Sequence, residues 1–170
     1  VPVFAGADLT NADFSEAAIN NSDFSSTTLT NANFTDSTME YGTFTGATIK
    51  EATLINAGLR GGVFTSANFV NSNLKDADLY QAKFDYASLN NATLNGADLR
   101  AATLYKANLY NADLDDAELN NANLSESDLS FIKLRRGNLT NANLYRAALP
   151  GADLSMAILV GANFEWSSMR

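Results

Sequence analysis

Four acids fall within six positions at Asp113, Asp115, Asp116 and Glu118, and three bases within four at Lys133, Arg135 and Arg136. Carboxylates so close together suit general acid–base work or a hard cation, and clustered bases suit an anionic partner. The rest of the composition removes most of that chemistry. The chain has no histidine and no cysteine, so the commonest general base, the thiolate nucleophile and the usual zinc ligands are missing. A Ser-His-Asp arrangement has nothing to stand on. The formal net charge of −8 is the opposite of the basic surface a nucleic-acid binder presents. No apolar run reaches the length of a membrane span, and no signal-peptide pattern is present. The composition therefore predicts no enzyme, no cofactor, no metal site, no direct nucleic-acid binding and no membrane insertion.

What positions these charges is a repeat. Every fifth residue from Phe4 to Met169 is large and apolar, and the 34 positions hold 21 Leu, 9 Phe, 2 Ile and 2 Met. Two residues earlier, 31 of the 34 positions are Ala, Ser or Gly, the others being Pro2, Thr27 and Ile132. The residue just before the large one is often Asp, Asn or Thr, as in "ADLTN", "ANLYN" and "ADLDD". A period of five matches neither the 3.6 of a helix nor the 2 of a flat strand. It matches a coil in which five residues form one side, turn one large and one small side chain inward, and then round a corner. Asn, Asp, Ser and Gly at the corners tolerate tight turns and left-handed backbone.

The unit closely resembles the pentapeptide-repeat family, with its A(D/N)LXX consensus, over effectively the whole chain. The resemblance implies an all-β fold, a right-handed quadrilateral β-helix of four repeats and 20 residues per coil. Residues 1–170 would form one such domain of about 8 coils, a rod on the order of 40 Å long at the usual spacing between strands. Phe4, Phe24, Phe44, Phe64 and Phe84 lie 20 apart, consistent with that coil length.

At 20 residues per coil, positions 20 apart are stacked neighbours. Asp113 then meets Lys133, Asp115 meets Arg135 and Asp116 meets Arg136, so the two charge runs become cross-coil pairs. On this reading the charge swap Asp115→Arg with Arg135→Asp restores what Asp115→Arg alone removes. Asp78, Asp98 and Glu118 stack acid on acid and stay uncompensated. Arg60, Tyr80 and Arg100 form a column in which guanidinium groups flank a ring. Ile132 puts a branched side chain where a small one belongs, beside Phe131, the only Phe outside the repeat register. The expectation is a bulged coil, or an Ile132 turned outward to make an apolar patch with Phe131. Asp78, Asp98, Glu118, Arg60, Tyr80, Arg100, Phe131 and Ile132 are the candidate partner surface.

A tightly filled rod leaves no concave pocket, so the function expected is a structural or protein-interaction module presenting rigid faces. Its partner is another protein, and an end-to-end homodimer is the expected self-association. The family resemblance implies an alternative, a DNA-mimicking binder of a type II topoisomerase that protects or inhibits gyrase. The charge distribution fits it less well, because residues 1–49 hold six acids and no base while residues 131–170 hold two acids and five bases. The resemblance points to a bacterial, notably cyanobacterial, setting. The chain opens on Val1, so the bacterial cytoplasm and, with a leader removed, the periplasm or thylakoid lumen all stay open.

Overall fold

The computed structural model describes residues 1–169 and contains no helix among them. Its chain is a continuous β-coil. Every bridge joins a residue to the one 20 positions on, in parallel, from Val3 with Asp23 to Ala148 with Ser168. Four bridged positions recur in each 20 residues, giving four walls. The first wall carries Asp23, Thr43 and Val63, the second Thr28, Thr48 and Asn68. The third carries Asn33, Thr53 and Asn73, and the fourth Thr38, Gly58 and Asp78.

The repeat unit is explained by where its backbone hydrogen bonds go. The large residue donates its N–H to the next coil, as Phe24 does to the Thr43 carbonyl at 2.7 Å. Its own carbonyl accepts from the small residue three positions on, as Leu29 does from Ala32 at 3.1 Å, closing a four-residue turn. The third residue of every turn has positive φ, from Gly6 at 70° to Trp166 at 61°. That is what a type II turn demands. One N–H per repeat remains, that of the residue after the large one. The Asp or Asn before the large residue takes it, as Asp98 Oδ1 does from Arg100 N at 3.1 Å and Asn138 Oδ1 from Thr140 N at 3.1 Å. This is the physical reason for the Asp/Asn preference in the repeat.

Inside, the side chains stack in columns. Phe4, Phe24, Phe44, Phe64 and Phe84 lie ring on ring with centroids 4.6 to 4.9 Å apart. Phe14 and Phe34 stack at 5.0 Å and meet the first column edge to face. Beyond Phe84 the buried core is Leu from Leu89 to Leu149.

Ile132 departs from expectation. Its coil is not bulged, since Asp113, Lys133 and Asp153 bridge in unbroken register, and the side chain is buried at 1% exposure. The next small position is Gly137, where an added Cβ would lie 2.8 Å from Leu134 Cδ1, so Leu134 occupies the volume that an alanine there would take. The residual cost shows in the turn bond from Ile132 N to the Leu129 carbonyl, stretched to 3.4 Å.

Candidate interaction surface

Side chains on either side of a large residue both point outward, so each wall displays two columns. On the fourth wall the two columns are those the sequence proposed separately. Asp78, Asp98 and Glu118 form one, bridged coil to coil. Arg60, Tyr80 and Arg100 form the other, with the guanidinium carbons 4.8 and 5.7 Å from the Tyr80 ring centroid.

The two columns are one patch. Arg100 donates from Nε and Nη2 to the two carboxylate oxygens of Asp98 at 2.8 and 2.6 Å. Arg60 lies 3.8 Å from Asp78. Thus Asp78 and Asp98 do have arginine partners, contrary to the uncompensated stack expected from sequence. The missed signal is lateral, because residues two apart along an extended segment share a face. Partial burial pushes the Asp98 carboxyl up, but hydrogen bonds from the Arg100 side chain and backbone outweigh it and hold it below its ordinary value. Arg100 is in turn held firmly protonated by Asp98. Glu118 ends the acid column and is exposed. Beyond Arg100 the second column continues to Asn120, whose Oδ1 is buried without a hydrogen-bond partner.

The charges on the third wall pair across coils. Lys133 lies 3.3 Å from Asp113, and Arg136 makes two bonds to Asp116 at 2.6 and 2.7 Å. Asp115 is different in kind. It is 3% exposed, accepts the backbone N–H of Arg135 at 2.9 Å and also binds its guanidinium. Lys133 occupies the place where an Asp or Asn would cap that N–H, and the carboxylate of the previous coil does the capping instead. The Arg135 side chain is the chief cause holding the Asp115 carboxyl below its usual range.

Phe131 stands apart from Ile132 and is 51% exposed at a left-handed corner, φ 58°. Its ring lies over Gly151, where an added Cβ would be 2.6 Å from Cδ1, and Tyr110 meets it edge to face at 5.6 Å. Tyr41 lies over Gly61 in the same way. The pairing of a corner aromatic with a glycine 20 positions later was readable in the sequence, but only once the coil length was known.

No pocket opens among the described residues, and no three ligating side chains converge there. The walls offer flat arrays of outward groups.

Two family models described as pentapeptide repeats match the chain, one over residues 4–48 and the other over segments that together run from 63 to 170. Among solved structures, the chain is similar to HetL, a pentapeptide repeat protein involved in heterocyst differentiation regulation from the cyanobacterium Nostoc sp. strain PCC 7120. Identity is 30%, covering 98% of this chain and 86% of that one, with a TM-score of 0.43. QnrB1, a plasmid-mediated fluoroquinolone resistance protein, shares the fold at 18% identity and a TM-score of 0.63, covering 95% of this chain and 75% of that one. A pentapeptide repeat protein from the Arabidopsis thaliana thylakoid lumen is 25% identical, covering 73% and 69%, with a TM-score of 0.41. A comparison with curated proteins finds no match.

Proposed function

The chain belongs to the pentapeptide-repeat family, and from that premise we propose that it is a non-enzymatic protein-interaction module whose fourth wall meets a partner protein. We take the rod as the right-handed quadrilateral form of about 8 coils that the family implies. The observation that carries the proposal is the joined patch of Arg60, Tyr80 and Arg100 beside Asp78, Asp98 and Glu118. Arginine and tyrosine are what interface centres favour, and here Arg100 is held by Asp98 while Tyr80 lies between two guanidinium groups. A partner therefore meets side chains whose ordering cost has been met on folding. Affinity capture from the native source tests this. Tyr80→Ala with Arg100→Ala should abolish capture while Lys133→Ala leaves it intact. Equal capture by all three chains would remove the fourth wall from consideration.

The second reading is the gyrase-directed DNA mimic, favoured by residues 1–49, whose six acids have no base among them. Against it, seven ion pairs between residues 60 and 136 interrupt the negative field that a mimic needs along its length. Supercoiling assayed with the chain at micromolar concentration separates the two. Inhibition or quinolone protection supports mimicry, and no effect dismisses it.

A further inference from the structure

The second wall is unlike the other three. Between Asn68 and Gly151 its outward side chains include one charged group, Asp128, whose carboxylate accepts from the Ser130 N–H at 3.0 Å and from its hydroxyl. The rest are Asn, Ser and small residues, with Val70, Tyr110, Phe131 and Pro150. Asn91 donates to Asn71 at 3.2 Å and Asn111 to Asn91 at 2.9 Å, and the ladder ends at the exposed Phe131 and Tyr110, the latter 44% exposed. Depletion of charge around exposed aromatics marks the centre of an interface.

We propose that this wall pairs with the same wall of a second copy of the chain, the two rods antiparallel. In a symmetric pair a patch meets itself, so any uncompensated charge meets its own image. On a chain of net charge −8, this is the wall that bears that cost least, its one carboxylate, Asp128, falling opposite Asn108 of the second copy rather than opposite itself. The edges of the wall fix the axis. A two-fold axis lying across the rod reverses its direction but keeps each edge on its own side. Placed between the coil of Tyr110 and that of Phe131, it gathers both aromatics of both copies at the centre. It also sets Lys106 against Glu126 of the second copy along one edge, and Asp113 against Lys133 of the second copy along the other. Within one copy these same pairs lie 3.4 and 3.3 Å apart, so each charge gains a second opposite neighbour. Tyr86 falls opposite Arg146 of the second copy, suited to cation–π contact. Residues 1–49 of both copies lie outside the overlap at opposite ends, which keeps their six acids apart.

The overlap is roughly 20 Å long and about 10 Å wide, the four coils of Ser88, Asn108, Asp128 and Ala148 by three extended residues. That is about a quarter of the ~800 Å² per partner in a standard interface, so the dimer is weak and the fourth wall, opposite, stays free. Sedimentation equilibrium of the whole chain up to about 1 mM tests it. A monomer–dimer equilibrium should appear, weakened at least tenfold by Phe131→Ala and by Tyr110→Ser and unchanged by Arg100→Ala. Circular dichroism should report folded chains for all three variants. A monomer throughout the range overturns the proposal. So does a dimer indifferent to Phe131→Ala and Tyr110→Ser, which would place the contact at the rod ends instead.

Discussion

The coils up to Phe84 and those beyond it solve the same geometry with opposite placements of their aromatic side chains. The first half stacks phenylalanines in the core and leaves its corners mostly to Asn, Asp, Ser and Gly. The second half fills the core with Leu and moves the rings outward to Tyr86, Tyr105, Tyr110, Phe131 and Tyr145. The ion pairs begin a little earlier, the seven among the described residues running from residue 60 to residue 136. The difference teaches that the repeat fixes only the inward pair of side chains. Outward residues are left free to differ from wall to wall and from coil to coil.

Removing one ring from each half tests that contrast at its largest. Phe44 and Leu104 occupy the same column, both fully buried, and Phe44 is stacked on both sides at 4.8 and 4.9 Å. Phe44→Ala should cost about 4 kcal/mol in denaturant unfolding. Leu104→Ala should cost about 1 kcal/mol less, the share of the lost ring contacts. Equal costs would make the aromatic column incidental.

Next come the acids of the second half, which divide by burial. Asp115→Ala leaves the Arg135 N–H uncapped and should cost about 2–3 kcal/mol. Asp116→Ala, at an exposed pair, should leave the melting temperature close to native. The charge swap at 116 and 136 should restore the native melting temperature. The swap at 115 and 135 should not, because an arginine at 115 cannot accept the N–H, a refinement of the rescue expected from charge alone. Full rescue at both sites would show that pairing rather than capping is what Asp115 supplies.

The Ile132 corner should give a smaller effect of about 1–3 kcal/mol for Gly137→Ala, since the new methyl meets Leu134. In an Ile132→Ala background that cost should shrink, and the double-mutant cycle should show coupling of about 1 kcal/mol. Additive costs would mean that Gly137 does not accommodate Ile132.

Acid should distinguish the halves least. Asp98, Asp115 and Asp116 are all held below the ordinary carboxylate range by arginine hydrogen bonds, the pull on Asp98 overcoming its partial burial. A depressed folded value adds stability above the unfolded value and loses it as pH falls through the folded one. The melting temperature should hold down to about pH 4 and decline below it, and Asp115→Asn should flatten that decline. An unchanged acid limb would deny Asp115 its share.

Much of this was legible from residues alone. The uninterrupted fifth-residue pattern specified the inward columns, and the 20-residue offset that the family resemblance implied placed Asp113, Asp115 and Asp116 against their bases. Three things were not legible, each for a physical reason. Arg100 binds Asp98 within one extended segment, a lateral contact that reading along columns passes over. Ile132 is buried in a coil that keeps its register, next to a small position, Gly137, whose space Leu134 fills, a packing that no single position reveals. Asp115 caps a backbone N–H of the next coil, a need that arises only because Lys133 cannot meet it.

Every cross-coil pairing depends on the coil length, and a cysteine-free chain allows that to be measured directly. Cysteines placed at Asn91 and Asn111, adjacent corners of successive coils, should form a disulfide under mild oxidation, since stacked coils hold their Cα atoms about 5 Å apart. Cysteines at Asn91 and Ala101, ten positions apart, should stay reduced. A disulfide in the second variant and none in the first would contradict the 20-residue coil and every pairing built on it.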